Sequence, residues 1–338
     1  MQFMHCACVI ALDYNFKMPN NKIIHRSHQS TSPTLLTLTT ILLWSFGSLV
    51  ARLVAMQSAF VLLSISFLFS FATIIGYLLF TRQISLSWFK HIPLMHLFIA
   101  PLGYFVYSVA INQSSRAFDS ISETTLLNNT WPIFTVLFSE ILSSQVKSKW
   151  TRILETAGIL LGFFSLITLV TGGNFNSIQL NLPGVLWGLL AGVSYGFFGA
   201  YSGTLTEVEQ KRFLLVAITI SVLLILPLAA FELGKIEPLT VMDLLAAFAM
   251  GALLDGVGYI LWTRAIRISR ERESRIAAIA SLMFLLPFLN LIWVRLFLQE
   301  TQFTQSCFLI SLTLLVISNL VIQTAPWCAN LFQRKSRA

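Results

Sequence analysis

Long apolar runs separated by short polar breaks dominate the chain. Ten of them come close to or exceed the roughly 20 residues that a helix needs to cross a hydrocarbon core. They cover 34–56, 59–80, 93–115, 119–141, 153–171, 182–204, 214–233, 240–263, 276–298 and 305–325. The runs are too long and too evenly apolar for barrel strands, and in lipid every backbone polar group must pair within its own segment, so each run predicts a helix. The expected fold class is an all-α polytopic membrane protein with ten transmembrane helices.

Composition points the same way. Only 11% of the 338 residues are charged against 56% hydrophobic, with 28 Phe and a mean hydropathy of +0.77. Soluble proteins are about one-quarter charged, so a water-soluble globular domain is excluded. The four cysteines, Cys6, Cys8, Cys307 and Cys328, are too few and too scattered for a disulfide framework, and read as free thiols rather than metal ligands. Residues 1–33 lack the basic start and long apolar core of a secretory signal; they read as a polar cytoplasmic tail or an over-extended reading frame.

The formal charge of +8 comes from 22 basic and 14 acidic residues. With the amino terminus in the cytoplasm, every basic residue except Arg52, Arg116, Lys235 and Arg295 falls in an inner segment. That bias predicts both termini inside and an even number of spans. It makes anionic lipid headgroups the expected partners of the inner loops and gives no reason to invoke nucleic acid.

The two halves of the chain resemble each other. GYFVYSVAI at 103–111 returns as GYILWTRAI at 258–266, placing Tyr104 opposite Tyr259 at an offset of 155 residues, and at that offset Pro132 in TWPIFTVLF matches Pro287 in LLPFLNLIW. Two matches at one offset indicate duplication. Each half holds five spans, so the second copy must enter from the opposite side. The loops agree: SSRAFDS (114–120) falls outside, while its Arg-rich counterpart SRERESR (269–275) falls inside. The expected organisation is a tail at 1–33, repeats at 34–171 and 182–325 in inverted orientation, and a basic tail at 326–338. Secondary transporters commonly have this architecture, with the substrate held near the midplane between the halves.

Polar and aromatic residues collect at mid-depth. At about 1.5 Å per residue, the centres of the third and fourth spans hold Tyr104, Tyr107, Asn128, Asn129 and Trp131; the first and sixth add Trp44, Ser45 and Tyr195, and the ninth adds Ser281 and Asn290. Tyr and Trp ordinarily prefer the membrane interfaces. Their central placement fits either helix packing or a cavity that stacks on a bulky apolar substrate, and the set as a whole favours the cavity.

Charges inside spans cost about 2.5–3.5 kcal/mol on insertion scales and so call for a partner or a task. Arg52 and Glu123 lie at similar depth and could pair, although Arg52 could equally snorkel to headgroups. Asp255, about fifteen residues into the eighth span, is the candidate buried acid for an amine or a proton. Glu140 and Arg295, equivalent at the 155-residue offset, read as interface residues.

LLWSFGSLVARLV in the first span and ETTLLNNTWPIFTVLF in the fourth resemble the bacterial aromatic amino acid exporters of the drug/metabolite transporter superfamily, with EamA-type repeats. The matched positions are Trp44, Ser45, Arg52, Tyr104, Glu123, Asn128, Trp131, Pro132, Thr135, Leu137 and Phe138, within a resemblance spanning about 34–325. It implies ten helices in two inverted five-helix repeats around a central cavity in a bacterial inner membrane, exporting amino acids without a cofactor. The sixth span carries Tyr195 where that family tends to place Trp, and the segment RAIRISRERESR (264–275) is unusually basic.

The resulting expectation is a secondary transporter exporting aromatic or other bulky apolar amino acids, or related small metabolites, by alternating access. Its substrate residues would be Trp44, Ser45, Arg52, Tyr104, Tyr107, Glu123, Asn128, Trp131, Tyr195, Asp255 and Tyr259, with Pro132 and Pro287 as hinges and no metal. Nothing in the pattern requires more than a monomer. The alternatives are a drug, metabolite or purine exporter of the same fold, and a non-transporting membrane scaffold. An intramembrane enzyme is disfavoured: no second deep acid faces Asp255, and no HExxH or GxSxG motif occurs.

Overall fold

Many large apolar side chains point outward, while serines, threonines and glycines share the interior with aromatic and aliphatic residues. Phe80 is 90% exposed and Phe98 69%, whereas Ser66, Ser70, Thr135 and Ser165 are fully buried. This arrangement suits helices surrounded by hydrocarbon, where small residues let backbones approach; Thr135 donates back to Trp131 O, and Ser165 donates across to Ser311 O. A computed structural model describes residues 32–47, 49, 50, 58–82, 92–118, 121–143, 147–174, 181–232, 234, 238–271, 276–298 and 305–335. Among these the regular structure is helical throughout, without a strand.

Eight helices are long and apolar enough to cross a membrane: α2 (Ala59–Phe80), α3 (Leu94–Ala117), α6 (Lys149–Thr171), α7 (Leu182–Ser202), α8 (Glu207–Glu232), α9 (Val241–Glu271), α10 (Ile276–Phe297) and α11, whose full extent is Gln305–Lys335. The first apolar run is represented by the shorter α1 (Pro33–Ser45). The fourth is divided into α4 (Ile121–Asn128) and α5 (Trp131–Ile141) by a turn at Asn129 and Thr130. Polar caps set several starts: Ser58 accepts from Val61 N, Ser148 from Thr151 N and Asn181 from Gly184 N, and Thr240 with Asp243 forms a reciprocal capping box.

Three boundaries differ from the sequence expectation. Residues 264–271, expected as loop, continue α9: Arg and Glu are good helix formers, and Arg267 pairs with Glu271 one turn on at 2.8 Å. The expected tail from 326 is helical to Lys335. The run expected at 119–141 as one span is broken where Pro132 opens α5. There its missing N–H would have no intrahelical partner in any case. Pro287 has the same place in α10, as second residue of Leu286–Leu298 after a 3₁₀ turn at Met283–Leu285. Both expected hinges therefore begin the second part of an interrupted helix.

Two helices widen at mid-depth. α3 contains a π-helical turn at Leu102–Val106 and α9 a longer one at Ala249–Gly258. Such segments shift the faces of the flanking helix and are frequent at functional sites.

The helices pack in definite pairs. α6 lies along α11 and α2 along α8; α3 packs on α7 and α8; α9 packs on α1 and α2; α4 and α5 pack on α7; and α10 packs on α1. The ends of the bundle can be told apart. Arg270 near the end of α9 donates to Leu142 O (2.6 Å), just before α6 starts, and Asn181 at the start of α7 donates to Ala117 O (2.9 Å) at the end of α3.

Candidate functional site

The interior aromatic residues meet in one cluster. Trp44 on α1 sits edge-to-face with Trp131 on α5 (ring centroids 6.0 Å), Tyr195 on α7 (6.0 Å) and Tyr259 on α9 (5.9 Å). Trp131 in turn contacts Tyr195 at 5.1 Å and Trp262 at 5.3 Å. Edge-to-face geometry suits the ring quadrupoles, and each such pair contributes about 0.5–1.5 kcal/mol beyond the area it buries.

Glycines on α7 bring the interrupted helix close enough for these contacts. A Cβ at Gly192 would lie 2.2 Å from Thr130 Oγ1, and one at Gly196 only 2.9 Å from Thr135 N. The α4–α5 break thus rests against backbone rather than side chains.

Tyr104 and Tyr259 stack on one another, with centroids 4.1 Å apart and planes inclined by 25°. Each hydroxyl crosses to the opposite helix: Tyr104 donates to Asp255 O at 2.9 Å and Tyr259 to Gly103 O at 2.6 Å. The acceptors lie in or next to the widened turns of α9 and α3, where the regular α-helical bonding of carbonyls is disturbed. Trp44 Nε1 likewise donates to Leu254 O at 2.8 Å. Packed against its indole, Gly258 has no room for a Cβ, which would stand 2.3 Å from Nε1.

Several polar groups here are not consumed by packing. The Tyr195 hydroxyl lies beside that of Tyr259, and Trp262 Nε1 lies near Gly199; neither completes a hydrogen bond among the described residues. The Asp255 carboxylate is within electrostatic reach of the Tyr104, Tyr107, Tyr195 and Tyr259 hydroxyls. Tyr107 stands beside Asn128 and tilts over Tyr195 at 5.0 Å. Buried polar groups without a partner are costly, so these atoms are positioned to receive a polar ligand or water.

Tyr104, Trp131, Tyr195, Tyr259 and Trp262 are buried, whereas Trp44, Tyr107, Asn128 and Asp255 are half-buried. Beyond the cluster, past the end of α5, Lys147 pairs with Glu140 at 2.5 Å and Glu155 at 2.8 Å, and Arg270 donates to Leu142 O. Burial alone would pull the Lys147 ammonium down, but the two carboxylates outweigh it and hold the group above the ordinary lysine value.

Other expected residues fall around this core. Ser45 is buried, accepts from Trp293 Nε1 at 2.8 Å and donates to Leu42 O, so it anchors α1 to α10. Glu123 is buried in α4, but the pairing expected for it with Arg52 lies outside the described residues, as do Arg52 itself, Cys6, Cys8 and the tail through residue 31. Ser281 bonds Asn319 on α11 at 2.9 Å. Glu140 carries the ion pairs above and Arg295 is exposed. Where an open cavity was expected, the rings touch one another, because each indole and phenol turns its edge to the next face.

Trp262 and Trp293 were not anticipated. Both could have been found, since at the 155-residue offset Trp262 occupies the place of Tyr107 and Trp293 that of Phe138.

No family model matches the chain, and no curated protein matches it. Among solved structures, one described only as "Crystal structure of protein" superposes with a TM-score of 0.69 at 21% identity, covering 87% of this chain and 99% of the other. That likeness establishes the fold as one found in a solved protein and carries no information about activity.

Proposed function

We propose that the chain is a membrane carrier that exports amino acids with aromatic or other bulky apolar side chains, or related small metabolites, by alternating access between two inverted halves. The observation carrying this reading is the aromatic cluster: both halves contribute its rings, and polar atoms are held within it. Aromatic faces suit a flat apolar group, while the Asp255 carboxylate and the phenol hydroxyls suit an ammonium and its neighbours.

The helix pairings support the inverted duplication. Exchanging each element for its counterpart 155 residues away carries the main pairs of neighbours onto one another. The pairs α2–α8 and α6–α11 map onto themselves, α3–α7 onto α9–α1, α3–α8 onto α9–α2, and the α4/α5–α7 contact onto α10–α1. Equivalent residues Tyr104 and Tyr259 stack where a two-fold axis between the halves would pass. On this reading the molecule is closed at the basic, cytoplasmic end and less tightly closed at the other. Rocking the halves would exchange the two.

The test is transport in proteoliposomes loaded with a panel of amino acids, purines and amphiphilic drugs. Trp131→Ala, at matched protein level, is expected to lower the rate for aromatic amino acids at least tenfold. Unchanged transport in that variant would remove the proposed site; absence of transport across the panel by the intact protein would favour a scaffold.

A further inference from the structure

Away from the aromatic cluster, a groove opens between the end of α2, the start of α8 and the last turns of α9. Its floor is apolar: Ile260 is half-buried, with Ile74, Leu78 and Leu214 buried in the core behind it. Its rim carries three cations, Lys211, Arg264 and Arg267, and one carboxylate, Glu207. Glu207 serves two of the three, at 2.5 Å from Lys211 and 3.5 Å from Arg267 Nη2. Arg267 Nη1 is held by Glu271, which is itself 57% exposed. Arg264 makes neither an ion pair nor a hydrogen bond among the described residues, and its Nε is shielded from solvent without an acceptor; Arg267 Nε is in the same condition. The groove thus keeps an excess of positive charge and unused guanidinium donors at the level where three helices leave their apolar stretches.

We infer that this groove is a binding site for the headgroup phosphate of an anionic phospholipid, with the first part of an acyl chain on the apolar floor. Guanidinium groups match phosphate oxygens in geometry and charge. A soluble phosphate ester would engage the same cations but leave the half-buried Ile260 and Tyr77 beside them uncovered, which is why the lipid is the favoured source. Tyr77, whose ring lies 6.0 Å from Lys211 Nζ, flanks the rim as phenols do at membrane interfaces. The inference rests on the membrane placement in the proposed function but not on transport.

Native mass spectrometry of the full chain in neutral detergent, with equimolar phosphatidylglycerol and phosphatidylcholine, tests it. The intact protein should retain one phosphatidylglycerol in preference to phosphatidylcholine. Arg264→Gln should lower that retention by about fivefold, the scale of one basic residue at a lipid surface. Arg264→Lys should recover most of it, and Arg152→Gln, outside the groove, should have no effect. Equal retention of both lipids by the intact protein, an unchanged Arg264→Gln, or an equal loss in Arg152→Gln would overturn the site. Should Arg264→Gln not fold, competition on the intact protein decides the source: soluble glycerol phosphate displacing phosphatidylglycerol at comparable concentration would overturn the lipid assignment.

Discussion

A hydroxyl that reaches across to a carbonyl beside a widened helical turn does two things at once: it satisfies an acceptor that the helix leaves poorly bonded, and it ties together two helices far apart in sequence. Tyr259 and Tyr104 both do this, at 2.6 and 2.9 Å. The Tyr259→Phe variant keeps the stacked ring but leaves Gly103 O without its donor. It should lower stability by about 1 kcal/mol, read as a drop in the midpoint of thermal unfolding in detergent. Tyr104→Phe should cost less, because its bond is longer. If both changes were neutral, the bonds would be incidental to the stacking.

At the scale of elements, α7 and the α4–α5 break depend on each other. Gly192→Val would set a branched side chain where even a Cβ meets Thr130 Oγ1 at 2.2 Å and the Leu127 carbonyl at 3.3 Å. The expected loss is about 3 kcal/mol or more, at the upper end for overpacking because backbone lines the contact, visible as a reduced monodisperse fraction on size-exclusion chromatography. Gly76→Ala, where nothing lies within 4 Å, is the matched control and should be silent. The Lys147 clamp between α5 and α6 gives a pH signature. Its folded-state proton affinity is raised, so its stabilising contribution is present below the ordinary lysine value of about 10.4 and is lost as pH rises through the higher folded value. Unfolding followed across the alkaline range should show this loss, and Lys147→Met should flatten it.

The break itself shows where sequence reading reached its limit. Apolar residues dominate from Leu126 to Ile141, with only the Asn128–Thr130 cluster and the scattered Thr135, Ser139 and Glu140 between them, so hydropathy predicts one span and Pro132 only a bend. The continuation of α9 past Arg264 is hidden for the opposite reason: charged residues end the apolar run, although their helix propensity and the Arg267–Glu271 pair favour another two turns.

For the whole molecule, the two motifs at one offset single out Tyr104 and Tyr259, and these two rings stack on one another. What could not be read was how the rings close on each other, since that depends on rotations introduced by the π-helical turns, which no periodicity in the sequence marks. Carried to the whole chain, the inverted reading predicts that cysteines placed at 115 and 270 in intact cells are labelled from opposite faces of the membrane by an impermeant reagent. Labelling of both from one face would mean that the halves run in parallel and would remove the carrier.

Trp44, Trp131 and Trp262 lie with their ring centroids 5.3–6.4 Å apart. Chromophores this close share their excited states, so the trio should give a signed couplet in circular dichroism at the strong far-ultraviolet indole band, which Trp131→Phe should remove. Anything entering between them has to prise the rings apart and extinguish that signal. The protein therefore carries an intrinsic optical gauge of occupancy, readable without dye or radiolabel.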